Sequence, residues 1–135
     1  MNTLKVISAF ALVLVFFTTT MSAQTNHPLL GKWEATYTEK NESYQVIYEF
    51  KIENDRLKCY TYSIEKDKGE DEKYSSVIMK KVIFKGTKGT GVYIFEHEGK
   101  NYEVQANLKL ENHNTLKISY TAWGYSDSET WRRVR

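Results

Sequence analysis

From Tyr102 to Leu110 every second residue is apolar: Tyr102, Val104, Ala106, Leu108 and Leu110 alternate with Asn101, Glu103, Gln105, Asn107 and Lys109. A repeat of two is the period of a strand, whose successive side chains point to opposite faces, and it does not fit a helical turn. The segment predicts a strand with one buried face and one wet face. The same pattern recurs along the chain. Trp33, Ala35 and Tyr37 alternate with Glu34 and Thr36; Tyr44, Val46, Tyr48, Phe50 and Ile52 oppose Gln45, Glu49 and Lys51; Leu116, Ile118 and Tyr120 alternate with Lys117, Ser119 and Thr121. Further strands are expected over 57–64, 77–84, 92–96 and 129–134. In 57–64, Leu57 and Cys59 share one face while Tyr60, Tyr62 and Ile64 share the other, so a bulge near Lys58 is expected to swap the faces.

Turn chemistry separates these runs. Glu53-Asn54-Asp55, Glu98-Gly99-Lys100 and Asn112-His113-Asn114 carry residues that tolerate tight backbone. The run Gly86-Thr87-Lys88-Gly89-Thr90-Gly91 resembles a phosphate loop only in glycine content. Such a loop leads from a strand into a helix, whereas here a strand follows, so a hairpin loop is expected. Glu65 to Lys73 has no apolar residue, only charged side chains and one glycine, and reads as solvated loop; its lysines and the lack of spaced Asp/Asn ligands argue against calcium. About eight strands joined by short turns predict an all-β fold, a single antiparallel up-and-down barrel. Gly31-Lys32-Trp33 in the first strand and Trp131-Arg132-Arg133 in the last are then neighbours across the closure.

The N-terminal residues read as an export signal. Lys5 supplies a positive flank, 6–17 is apolar apart from Ser8, and Ser22-Ala23 offers the small residues of a cleavage site. The apolar run is shorter than the roughly 20 residues a membrane-spanning helix needs, so no stable membrane insertion is expected. Residues 1–23 are assigned as a cleaved signal peptide and 24–135 as one barrel domain, exported to the periplasm or the exterior. The single cysteine is Cys59, so neither a lipid-anchored product nor an internal disulfide is expected. A net charge of +2 gives no electrostatic case for nucleic acid.

Gly-x-Trp in the first strand with an Arg near the end resembles the signature of lipocalins and related calycin barrels. In those barrels the Trp ring lies across the closed end and an Arg from the last segment packs over it. The resemblance implies that Trp33 meets Arg132 or Arg133. The stretch from Gly99-Lys100-Asn101-Tyr102 through Leu116-Lys117 and Tyr120 to Glu129-Thr130-Trp131-Arg132-Arg133 is similar to a family of short secreted bacterial proteins of unknown function that end in Thr-Trp-x-Arg. It covers the last third of the chain together with 30–37. The Gly- and Pro-rich segment with a Cys that this family carries in its middle is absent here. The family implies a lipocalin-like barrel and no defined activity.

No catalytic constellation emerges. His27, His97 and His113 are scattered, so no metal site is expected. No Ser or Cys sits in a strand-to-helix elbow, and Cys59 reads as a small core residue. No cofactor is expected. Asp127 and Glu129 could contribute a carboxylate pair, which keeps a hydrolase as one alternative. The leading reading is a binder of a small apolar or amphipathic ligand, with Tyr48, Tyr62, Tyr102 and Tyr120 as the wall and Gly31, Trp33, Trp131, Arg132 and Arg133 as the closure. A side-chain-filled barrel acting as a protein-interaction module through Trp123 and Tyr125 remains the other alternative.

Overall fold

The computed structural model describes residues 27–66 and 72–135. Eight strands follow one another: β1 (Gly31–Glu39), β2 (Glu42–Glu53), β3 (Arg56–Lys66), β4 (Glu72–Lys85), β5 (Lys88–His97), β6 (Lys100–Asn112), β7 (Thr115–Ala122) and β8 (Tyr125–Arg133). Each pairs antiparallel with the next, and β8 returns to β1 to close the barrel. The described residues contain no helix. The assigned signal peptide, residues 1–23, lies outside them. So does the middle of the charged run, whose ends complete β3 and open β4.

The turns explain the regular up-and-down path. Lys40-Asn41, Asn54-Asp55, Glu98-Gly99 and Trp123-Gly124 each place two consecutive residues at positive φ. That is the two-residue hairpin turn whose twist matches the flanking strands. One end of the barrel therefore carries the turns at 40–41, 98–99 and 123–124. The other carries those at 54–55, 86–87 and 113–114, together with the start of β1 and the end of β8.

Irregularities in β3 and β4, and an early start to β8, displace features from where the sequence pattern put them. Tyr48 pairs with Thr61 while Ile47 pairs with Ser63, so the extra residue is Tyr62 and the bulge lies there, not near Lys58. Leu57, Cys59, Thr61 and Ile64 consequently all serve the interior, and Tyr60 and Tyr62 face out. β4 has its own break between Lys80 and Ile83, with Lys81 at φ 51. It brings the backbone close to β5: a Cβ on Gly89 would stand 2.2 Å from the Ile83 carbonyl oxygen. Gly89 and Gly91 are therefore strand residues kept small by crowding, and only Gly86-Thr87 forms the turn. Finally, β8 begins at Tyr125 rather than Glu129, because the Trp123-Gly124 turn is tight.

The lower half of the lumen is filled. Leu29, Trp33, Phe50, Cys59, Met79, Leu108, Leu116, Ile118 and Trp131 are essentially inaccessible. Trp131 stacks on Tyr48 with ring centroids 4.2 Å apart and tilts against Phe50 at 6.2 Å.

At the closed end Arg133 holds the two chain segments together. Its guanidinium lies 4.3 Å from the centroid of the Trp33 ring. Nη1 donates to Leu30 O at 2.8 Å, Nε to His113 O at 3.0 Å and Nη2 to Pro28 O. The Trp33 indole N–H donates to Leu29 O at 2.9 Å. Gly31 has φ +109, and a Cβ there would sit 3.5 Å from Nη1 of Arg133, so glycine suits the conformation and the guanidinium alike. Arg132, one residue earlier, points to the outer face and is exposed.

Arg133→Ala removes a cation–π contact and leaves three carbonyls without their donor. It should destabilise the fold by about 2 kcal/mol. Arg132→Ala should lie within about 0.5 kcal/mol of wild type, as surface substitutions usually do. Urea melts of both variants check this; equal losses would show that Arg133 has no special part in the closure.

Candidate functional site

In a barrel, residues paired across strands share a face, so the lumen above the filled half can be followed from strand to strand. Trp33 pairs with Tyr48, and Ala35 and Tyr37 continue that face up β1. Tyr93 pairs with Val104, Ala106 with Tyr120, Tyr120 with Asp127 and Ile118 with Glu129. Five strands thus deliver Tyr37, Tyr48, Tyr93, Tyr120 and Glu129 to one layer immediately above Trp131.

The layer is a hydrogen-bonded network around one carboxylate. The hydroxyls of Tyr37 and Tyr48 are 2.9 Å apart, and the Tyr93 hydroxyl donates to Glu129 Oε2 at 3.2 Å. The rings of Tyr93 and Tyr120 lie 5.5 Å apart. Burial raises the Glu129 carboxyl above the ordinary carboxylate range; the Tyr37 and Tyr93 hydroxyls oppose that rise, and the Asp127 charge adds to it. Burial raises the tyrosines as well, Tyr120 to about 12, with the Glu129 charge adding its share. They stay protonated at neutral pH and can donate to a carboxylate. The Trp131 indole N–H is fully buried and meets no acceptor in hydrogen-bond geometry, although it lies near enough to Glu129 to favour the charged carboxylate.

Above this layer the mouth is aromatic. Phe95 stacks on Tyr102 at 5.7 Å, and Trp123 meets both edge-on at 5.6 and 5.0 Å. His97 completes the group beside Trp123 and Tyr102. Phe95 and Tyr102 are half-buried, whereas Trp123 is 61% exposed. Solvent reaches the rim, the tyrosine layer is half-buried, and Trp131 at its base is dry.

The structure brings Tyr48 and Tyr120 into the layer and places Tyr102 at the rim. Tyr62, expected in the wall, is on the outer surface, 38% exposed with Lys32 Nζ 3.8 Å over its ring. The Tyr62 bulge sends it there. Three members of the layer were not expected in a ligand-binding wall: Tyr37, which alternation had placed inward; Glu129, expected only as half of a carboxylate pair with Asp127; and Tyr93. Glu129 shares the parity of Trp131 and Arg133, so the signal was present once Trp131 was taken as an inward residue. Asp127 is exposed and its carboxylate accepts the Ser128 N–H at 2.8 Å. Cys59 is buried, its thiol pushed up by desolvation, and serves the core. Among the described residues no group of three or more His, Cys, Asp or Glu converges as metal ligands would. A depression of about 350 Å³ lies on the outer wall between Lys88, Asn107, Lys109, Lys117 and Ser119. Its flexible, solvated lysines hold no buried polar group.

No family profile, no curated protein and no solved structure matches this chain.

Because the Glu129 pKa is higher in the fold than in the unfolded chain, folding favours the protonated form. Its contribution to stability is full below the unfolded pKa and is lost as pH rises through the folded one. Glu129→Gln should therefore unfold at a higher urea concentration than wild type at neutral pH, and the gap should close in acid. A variant less stable than wild type at neutral pH would show instead that the charged carboxylate supports the fold.

Proposed function

We propose that this chain is an exported binding protein that takes one small amphipathic ligand in the barrel mouth. The carrying observation is the gradient along the lumen. Its lower half is packed solid, whereas its upper half is half-buried, polar at the base and aromatic at the rim. A carboxylate paired with no cation among the described residues, and an indole N–H without a well-aligned acceptor, do little at that depth for a barrel that only fills itself, since buried polar groups are costly. The apolar body of the ligand would lie between Phe95, Tyr102 and Trp123, and its polar end would reach Glu129 and the tyrosine hydroxyls. The eight-stranded closure with Arg133 over Trp33 is consistent with a lipocalin-like barrel, an architecture that holds single small ligands in its mouth. Fold alone does not supply the function; the reading rests on the layer around Glu129.

The interaction-module reading draws on Trp123 and Tyr125, 61% and 80% exposed. Trp123 is already engaged with Phe95 and Tyr102 at the rim, which assigns it to the mouth and leaves Tyr125 as the main outward aromatic.

Export rests on the N-terminal sequence. A cut after Ala23 lies upstream of His27, whose carbonyl accepts the Leu30 N–H at 3.0 Å, so the closure keeps every residue it uses. Intact-mass measurement on protein expressed in a bacterial host should give a product beginning at Gln24. Retention of residues 1–23 in a cytosolic product would refute export.

A ligand burying about 300 Å² of apolar surface gains about 7 kcal/mol before ordering costs, so micromolar affinity also needs its polar end satisfied. Titration with N-phenyl-1-naphthylamine, a neutral fluorophore, should give a saturable rise with Kd of order micromolar. Tyr120→Trp should abolish it by filling the layer without unfolding the barrel. A flat titration, with no small molecule co-purifying in native mass spectrometry, would favour the interaction module.

A further inference from the structure

We propose that the polar end of the ligand is an organic cation, a protonated amine, seated against Glu129 beneath an aromatic rim. The proposal rests on the small-molecule reading above and adds the sign of the charge.

The charges within the layer itself, Glu129 and Asp127, have one sign. The groups that face Glu129 are Tyr37 from β1, Tyr93 from β5, and Trp131 and Asp127 on its own strand, with Tyr48 and Tyr120 completing the layer. All are neutral at physiological pH except Asp127, which is acidic. Among the described residues no lysine, arginine or histidine forms an ion pair with Glu129. A carboxylate withdrawn from water without a cation is an unfavourable arrangement that a cationic ligand would relieve. Perturbed ionisable groups in a cleft are candidates for that kind of work. An anionic head group would meet Glu129 and Asp127 with the wrong sign, and a neutral one would leave the carboxylate uncompensated.

Two further observations point the same way. At the base of the layer the buried Trp131 indole N–H makes no hydrogen bond of good geometry and lies close to Glu129, so its donor capacity is only partly used. The surroundings are also rich in ring faces: Tyr93 and Tyr120 line the layer, and Phe95, Tyr102 and Trp123 ring the approach. Aromatic faces attract cations through their quadrupole, most strongly where water is excluded. A carboxylate below and aromatic rings around describe a receptor for an ammonium group attached to a flat or apolar body.

The test uses three probes of nearly equal size and different charge: tryptamine, its alcohol analogue tryptophol, and indole-3-propionate. Calorimetric titration of the mature protein near neutral pH should show tryptamine bound at least tenfold more tightly than tryptophol, with indole-3-propionate weakest. In Glu129→Gln the preference for tryptamine over tryptophol should fall to within about twofold. Lowering the pH until Glu129 is protonated should erase the preference in the wild-type protein too, which gives a readout independent of the variant's folding. Equal binding of amine and alcohol, tightest binding of the carboxylate, or an amine preference that survives Glu129→Gln would each overturn the cation proposal and leave the small-molecule reading standing. Failure of all three probes and of the neutral fluorophore would overturn both.

Discussion

The seam between β1 and β8 depends on Arg133. Register pairs between these strands are confined to Trp33 with Arg133 and Glu34 with Arg132, whereas β1 and β2 pair along their whole length. So short a ladder is weak on its own. Arg133 reinforces it from inside, lying over Trp33 and donating to the carbonyls of Pro28, Leu30 and His113. One side chain thus ties the segment before β1 and the β6–β7 turn to the end of β8. Its charge also satisfies carbonyls that would otherwise be unpaired near the buried end of the barrel.

That closure has a consequence at the other end. Since Arg133 faces inward at the bottom of β8, alternation fixes Trp131 and then Glu129 as the next inward residues above it. Trp131 is large enough to floor the lumen, with Tyr48 stacked on one side and Phe50 against it. Glu129 is then carried above the floor, beyond the last β1–β8 pair, where its neighbour across the seam is the phenol of Tyr37 and not a hydrogen-bonded strand. The carboxylate is held by Tyr93 and influenced by Tyr37. It is a position with little structural use for a charge, the kind of local mismatch that marks a candidate functional site.

How much of this was legible in the sequence depended on whether local pattern or tertiary context decided it. The alternation from Tyr102 to Leu110 fixed β6 because each of those residues obeys one rule, and the barrel followed from repeating that rule with short turns. The bulge at Tyr62 was misplaced because a bulge leaves no compositional mark: Leu57 to Ile64 is apolar or aromatic at several positions on both faces, and only pairing with β2 decides which residue is extra. Gly89 and Gly91 read as a loop because glycine marks turns locally. In the structure they are strand residues whose missing side chains admit the Ile83 backbone and Met79. Such crowding belongs to β4 and cannot be seen in β5. Tyr37 was legible as an inward residue, but not as a partner of Glu129, which lies almost the whole domain away in sequence.

The same distance explains why the site needs a closed barrel. Tyr37, Tyr48, Tyr93, Tyr120 and Glu129 come from β1, β2, β5, β7 and β8, and no hairpin contains more than two of them. A flat sheet would spread them over its width. Closure curls β8 back to β1, so the first and last strands of the layer become neighbours. Its geometry is therefore tied to the seam at the opposite end: loosening Arg133 lets β1 and β8 drift apart, which separates Tyr37 from Glu129 first. Tyr93 and Tyr120 are set by the uninterrupted β5–β6 ladder and by the β6–β7 pairing and should keep their places. In that sense the packed end and the polar end are coupled through the short β1–β8 seam that Arg133 reinforces.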